Sequence, residues 1–413
     1  MLAGALAPAA GARAELPELA PVTVTATPSA AQVLATPGNV GLVGAGVIEG
    51  VAPLHASELF WRAPGTWVTR NSGQESLVGI RSPVLSGAGA CGAFLFLEDG
   101  LPSRPAGFCN VNQLFELNFE QARAVEVVRG PGSALYGSNA LHGTVNVLMP
   151  TPADGRDQVV LDTGPDGFRR GRASAGNWDG VRGARVTGQF ARDGGWRDDT
   201  GYDQAKLNAA WLARDDGIER EARLAATMLR QETAGYITGR GAYRDGQLRR
   251  SNPNPEAFRD ADSLRASFTW RQDDGTRRRE VRPYLRASDM RFLQHFLPGQ
   301  PLEENAQVSG GLQLNARDSL GGGTLHRGLD LELAEGTLQQ FQAGEALGLP
   351  PAVAATRPPG LHYDYAVRAW TVAPWLHWER PLAEGWSLGI GLRAERMHYR
   401  YDNRMLAGDT RDD

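Results

Sequence analysis

The sequence is short of the residues that most chemistry needs. It has two cysteines, seven scattered histidines and, among 43 basic residues, a single lysine, Lys206. It contains no C-x-x-C and no H-E-x-x-H, so the common two-cysteine zinc and metalloprotease signatures are absent. Its formal net charge is only −4, which gives no global field to draw nucleic acid. No stretch approaches the roughly 18 consecutive apolar residues of a membrane-spanning helix. That absence says nothing about a β-barrel, whose strands alternate and carry a far weaker hydropathy signal. One segment, Gly87-Ala88-Gly89-Ala90-Cys91-Gly92, satisfies G-x-G-x-x-G. A Phe-rich strand follows it where a dinucleotide site needs a helix, so it is not read as one. The composition therefore suggests neither an enzyme nor a cofactor.

What the chain does have is glycine, 51 residues of it. The most informative stretch is Val128 to Met149, VRGPGSALYGSNALHGTVNVLM. Val125 to Val128 and Thr144 to Leu148 are β-branched runs that predict strands. Between them the spacing predicts a turn at Gly130-Pro131-Gly132, a short helical turn from Ser133 to Tyr136 and a stop at Gly137. This pattern resembles the end of the plug domain of TonB-dependent outer-membrane receptors, close to RGPxSALYGSxAxGGxINI. His142 stands where that family often has Gly, and Val145-Asn146-Val147 replaces Ile-Asn-Ile.

Further segments extend the resemblance. Pro64-Gly65-Thr66-Trp67-Val68 resembles the family's PGVxV, Ser76 to Arg81 its xxIRG, Phe94 to Pro102 its xxLxDGxP, and Ala124 to Arg129 its IExIEVxRGP. Phe94 to Leu97 predicts a buried strand and Asp99-Gly100 a tight turn. Ser57 is positioned to cap a short helix through Phe60-Trp61. Asn118 with Gln121 has the spacing of a capping box. By resemblance the plug motif comprises Arg81, Asp99, Gly100, Glu126, Arg129, Gly130, Pro131, Tyr136 and Gly137. Arg81, Glu126 and Arg129 are expected on the plug rim or at the plug–barrel interface, as a structural ion-pair network before a transport switch. Cys91 and Cys109 are an even pair in a chain with an export-like start, which suggests a disulfide. Closing that loop would stabilise by about 3 kcal/mol in the chain-entropy model; a free, buried pair is the alternative.

The expected organisation has four parts. Residues 1–14 resemble the end of a signal peptide, with Ala12-Arg13-Ala14 as a cleavage site but no basic n-region. Residues 15–39 form an N-terminal periplasmic segment. In it Val22, Thr23, Val24, Thr25 and Ala26 alternate as an extended strand that could add to a partner's sheet edge, and the resemblance makes them the TonB box. Residues 40–150 are an α+β plug, a small mixed sheet with short helices. Residues 157–413 are part of an antiparallel transmembrane β-barrel.

The barrel reading rests on period-two alternation. Leu264, Ala266, Phe268 and Trp270 alternate with Arg265, Ser267, Thr269 and Arg271. Val308, Leu312, Leu314 and Ala316 alternate with polar residues, as do Leu388, Ile390 and Leu392. Trp211, Trp270, Trp375, Trp378 and Trp386 are placed as interfacial girdle residues. Short turns near Asp273-Asp274-Gly275 and at 380–385 contrast with long polar loops at 234–262 and 336–363. About eleven alternating segments are countable, starting near Gln158, Arg169, Ala184, Lys206, Ala222, Ser263, Val281, Gln307, Thr324, Ala366 and Trp386. The family closes its barrel with about 22 strands, so the chain reads as an apparently truncated receptor, one not expected to insert stably alone.

The resemblance implies energised uptake, in the outer membrane of a Gram-negative bacterium, of a scarce ligand, most often a ferric siderophore or another metal chelate. The implied partners are TonB with its inner-membrane energising complex, outer-membrane lipid and the small-molecule chelate. No cofactor, no nucleic acid and no covalent chemistry are implied, and the ligand-binding residues are not identifiable. Inward arginines such as Arg265, Arg282, Arg286 and Arg317 are read as a solvated wall before an anion site. A passive porin-like or adhesive barrel with a structural insert is the alternative.

Overall fold

A computed structural model describes residues 23–24, 31–32, 39–85, 94–108, 113–154 and 156–405. Residues 1–22, Thr25, Ala26, Cys91 and Cys109 lie outside the described residues, so the signal sequence, most of the TonB box and the proposed disulfide are not covered. Of the box, Thr23–Val24 (β1) pairs antiparallel with Ala31–Gln32 (β2).

The plug is built on a five-stranded sheet. Its strands are β3 (Asn39–Gly44), β6 (Phe94–Glu98), β7 (Leu101–Pro102), β8 (Ala124–Arg129) and β9 (Gly143–Leu148), in the order β3-β8-β9-β6-β7. β6 runs parallel to β9 and the other pairs are antiparallel. A hairpin of β4 (Thr66–Val68) and β5 (Val78–Ile80) and short helices α1 (Ala45–Val51), α2 (Ser57–Phe60) and α3 (Ser133–Tyr136) complete it. One sheet face packs Phe94, Phe96, Val125, Val127, Val145 and Val147 against Leu59, Phe60, Leu117 and Phe119. Leu95 and Leu97 pack on the other face with Ala140 and Tyr136, which is why the whole FLFLE run is buried. Asp99 and Gly100 both have positive φ, 49° and 80°, the requirement of the tight hairpin turn foreseen there. A Cβ on Gly143 (φ 153°) would lie 2.2 Å from the Val128 carbonyl oxygen, so only glycine lets β9 approach β8 there.

The rest of the chain is one antiparallel sheet of 12 strands in sequence order. They are β10 (Gln158–Thr163), β11 (Arg169–Trp178), β12 (Arg182–Asp193), β13 (Tyr202–Asp215), β14 (Ile218–Glu232), β15 (Phe258–Asp273), β16 (Arg278–Leu293), β17 (Leu302–Leu320), β18 (Gly323–Gln342), β19 (Gly360–Ala383), β20 (Trp386–Arg393) and β21 (Arg396–Asn403). The count exceeds the eleven alternating segments by one because β20 and β21 follow one another along the same edge of β19. They part opposite Pro374, which has no N–H for the ladder; its carbonyl still accepts from Ala394 at 3.0 Å. Among the described residues β10 pairs only with β11, and β20 and β21 only with β19, so the sheet does not close on itself.

Connections alternate in length. Short turns at 179–181, 216–217, 274–277, 321–322 and 384–385 lie at one end; longer loops at 164–168, 194–201, 233–257, 294–301 and 343–359 lie at the other. The two longest loops are shorter than the sequence suggested. β15 begins at Phe258, β18 runs to Gln342 and β19 begins at Gly360. Those strand ends carry polar residues on both faces, Arg259, Asp260 and Asp262 for example, so alternation did not mark them.

The sheet is inside out relative to a soluble core. Leu264 and Phe268 are 47% and 40% exposed, whereas Arg265 and Thr269, the residues that follow them, are 4% and 3% exposed. Leu285, Val308, Leu333 and Ile390 are likewise exposed. The apolar side chains face outward and the polar side chains face the plug, the arrangement of a barrel wall in lipid.

Candidate functional site

The plug meets the inner wall almost entirely through polar side chains. Lys206 of β13 has no exposed side-chain surface; its ammonium donates to both Glu120 carboxylate oxygens, at 2.8 and 2.9 Å, and to the Leu117 carbonyl at 2.8 Å. It also lies 4.5 Å from the Phe119 ring centroid. Arg265 donates to Glu98 (3.0 Å) and to the Glu116 carbonyl (2.8 Å). Arg259 pairs with Glu75 at 2.8 Å and Arg223 with Asp99 at 3.1 Å. Arg170 donates to the Pro53 and Ala52 carbonyls, Arg282 to that of Asp99 and Arg286 to that of Pro102. Three of the four arginines singled out in the sequence thus hold the plug; Arg317 pairs within the wall, with Asp273. Lys206, Arg265 and Arg259, all buried at this boundary, each face a carboxylate of the plug, as burial of a charge demands. One apolar anchor interrupts the pattern: Phe115 packs with Tyr202, Leu229, Ala261, Met290 and Phe292 of the wall.

Two corrections concern the plug's helix starts. Asn118 and Gln121 do not form a capping box, since Asn118 makes no side-chain cap. The Asn118 amide instead donates to Asn208 at 2.8 Å and its oxygen accepts from Thr227 at 3.0 Å, while the Gln121 side chain accepts from Asn208 and donates to the Lys206 carbonyl. The three-residue helix at Phe119–Gln121 offers too little backbone to compete with the wall. Ser57 is the first residue of α2 rather than its cap. Its hydroxyl and N–H engage the buried His55 Nδ1, and His55 Nε2 donates to the Glu75 carbonyl. Burial lowers the His55 pKa to about 4, so the ring is neutral.

The plug motif divides by position. Asp99 accepts from the Met149 N–H (3.0 Å) and faces Arg223, and the Gly100 N–H donates to Asn146. Gly130 and Gly137 have φ of 114° and 85°, ending β8 and α3 as foreseen; Pro131 is exposed between them. Tyr136 packs on Leu95, Leu97 and Ala140, and burial raises its phenol pKa. Arg81, Glu126 and Arg129 do not form the shared network expected of them. Glu126 and Arg129 are three residues apart on one strand and so face opposite sides. Glu126 is wholly buried, 3.5 Å from the Asn146 amide. Arg129 donates to the Asn39 and Pro64 carbonyls beside Gly65, with Arg81 close by; burial and Arg81 lower its pKa.

Between the Asp99–Gly100 turn, α3 and the wall is a cavity of about 630 Å³ on the short-turn side. Alternating charges line it: Arg271 bridges Glu219 and Glu280, and Arg223 also reaches Glu221 at 2.6 Å. Trp375 lines this cavity and covers Gly328, so it faces inward and is no girdle residue. Trp211 and Trp386 are exposed, as girdle residues would be. Among the described residues no His/Cys/Asp/Glu group is arranged to hold a metal ion.

The wall anchors were not singled out in the sequence, apart from Arg265, Arg282 and Arg286, which were expected to form a solvated wall and instead bond the plug. The available signals were the one lysine of the chain and Glu98 at the end of an otherwise apolar strand.

Comparison with known proteins agrees with this architecture. Residues 32–144 match the model of the TonB-dependent Receptor Plug Domain. The fold is similar to the ferric citrate transporter FecA in its unliganded form, with a TM-score of 0.72, 15% identity, and 89% of this chain and 57% of that one covered. It is also similar to FpvA of P. aeruginosa bound to heterologous pyoverdines (0.72, 12%, 92% and 54%). BauA, the ferric preacinetobactin receptor of Acinetobacter baumannii, is another similar structure (0.68, 12%, 92% and 60%). The chain thus spans a little over half the length of the structures it matches.

Proposed function

We propose that this chain, which carries a TonB-dependent receptor plug domain followed by a run of barrel strands, serves energised uptake of a scarce ligand across the outer membrane of a Gram-negative bacterium. The ligand class is a ferric siderophore or another metal chelate, the cargo named for the similar structures. The observation that carries this reading is how the plug is held. It has its own hydrophobic core and meets the wall chiefly through hydrogen bonds and ion pairs. Water can replace such contacts one by one, so the plug can shift without its core being torn open.

The pull would come through residues 22–26. A strand there can add to the sheet edge of TonB, which its inner-membrane complex energises; Thr23–Val24 already has extended pairing with β2. The Cys91–Cys109 disulfide belongs to the same proposal, as a brace within the plug.

Val24→Pro tests the function, because it removes one donor and fixes φ. Ligand binding to cells is expected to persist while accumulation of the ferric chelate stops. Accumulation at the unsubstituted rate would instead favour the passive barrel.

A further inference from the structure

We propose that the cavity between the plug and the wall holds a site for an organic anion, whose carboxylate is bound by the guanidinium of Arg104. The inference deepens the uptake reading and rests on it only for the route by which the anion arrives. Arg104 stands in the strap Pro102-Ser103-Arg104-Pro105 that follows β7. The two prolines restrict the backbone on either side of it. Arg286 holds the Pro102 carbonyl, and the Ser103 N–H donates to the Phe96 carbonyl at 2.9 Å. The strap lies over the inner face of β15, β16 and β17, where Ser263, Arg286 and Ser309 border it. Each of these strands pairs on both sides, so Arg104 sits well inside the sheet rather than at an edge.

Arg104 is 5% exposed. Burial lowers its pKa to about 10, which still leaves it charged at neutral pH. Among the described residues it makes no hydrogen bond and no ion pair. Its Nε is buried without an acceptor, and Glu116 attracts it only from beyond ion-pair distance. A buried charge needs a counter-charge, and this one lines the cavity.

The cavity supplies the room and the balance of charge. It follows β16 from Tyr284 to Arg278, about 20 Å of strand, and its 630 Å³ suits a small organic ligand. Every carboxylate on its lining already has a guanidinium within ion-pair distance. Of the lining arginines, only Arg104 and Arg282 lack a carboxylate partner among the described residues. Arg282 is committed to the Thr269 hydroxyl and the Asp99 carbonyl. The lining thus carries surplus positive charge and one uncommitted guanidinium. A planar carboxylate accepts two parallel N–H donors from such a group. A phosphate monoester would bring more charge to one point than this lining, with its many carboxylates, offsets. The cavity reaches the short-turn end at Arg317, so an anion that has passed the plug meets Arg104 before it leaves.

The test is equilibrium dialysis of the purified full chain in detergent micelles, with radiolabelled malate as the carboxylate probe. Dimethyl malate, which is uncharged, and inorganic phosphate serve as competitors. Malate should bind at a single site, and each competitor should be weaker by at least about tenfold. Arg104→Gln should weaken malate by at least about tenfold without lowering the thermal midpoint, because it removes an unpaired buried charge; an arginine with only a structural role would lower the midpoint. Malate should raise the midpoint of the unsubstituted chain and leave that of Arg104→Gln unmoved. Arg104→Lys, which keeps the charge without the fork, should recover only part of the binding. No malate bound by the unsubstituted chain, or equal binding by Arg104→Gln, would overturn the site; phosphate binding as well as malate would overturn the carboxylate class. Neither TonB nor a ferric chelate enters the dialysis, so its outcome is independent of the Val24→Pro experiment that tests uptake.

Discussion

The Lys206 ammonium and the Glu120 carboxylate form a two-pronged ion pair across the plug–wall boundary, at 2.8 and 2.9 Å, with both side chains almost wholly buried. Two charges are taken out of water here, and their attraction must offset that cost. Such a pair adds little net stability but penalises any misplacement of the plug. Its value lies in fixing where the plug sits.

Replacing Lys206 with Met leaves Glu120 buried without its counter-charge, which costs about 3–5 kcal/mol. The expected result is earlier release of the plug in a urea titration followed by limited proteolysis. Adding Glu120→Leu should recover most of the loss, because a well-packed apolar pair is often neutral or stabilising.

His55 makes the plug sensitive to acid. Its pKa is about 4 in the folded state against 6.5 for the free side chain, so the unfolded chain binds the proton more readily. The stability it confers is full above about pH 6.5, falls as pH drops toward 4, and amounts to about 3 kcal/mol over that window. Urea midpoints measured between pH 7 and 4 should show this slope. His55→Asn should flatten it while lowering stability at pH 7, where the hydrogen bonds to Ser57 and Glu75 are changed.

Gly143→Ala should be among the most damaging single-methyl changes in the plug. It places a Cβ 2.2 Å from the Val128 carbonyl at a φ of 153°, a strain of at least about 1–3 kcal/mol. Gly180→Ala, also at positive φ (95°) but with open space around it, should cost less. Comparing the thermal midpoints of the two variants checks the assignment.

The same contrast shows what the sequence could and could not reveal. Gly130 and Gly137 were legible because a backbone that needs positive φ leaves few choices of residue. Asn118 and Gln121 were misread because their spacing fits a local cap, while their partners, Asn208 and Lys206, lie far away in sequence. Trp375 was misread because a tryptophan near a strand end does not declare its face; the register of β19 turns it inward over Gly328. The break between β20 and β21 was hidden because Pro374, which causes it, sits on the neighbouring strand.

The central claim is that the plug must move for the ligand to pass. A reversible tether tests it directly: Asn118→Cys with Asn208→Cys, on side chains 2.8 Å apart across the plug–wall boundary, with each single variant as control. If the proposed uptake is right, the oxidised double variant in cells should bind the ferric chelate and fail to accumulate it, and a thiol reductant should restore accumulation. Accumulation by the oxidised, verified cross-linked protein at the rate of the single variants would contradict the account.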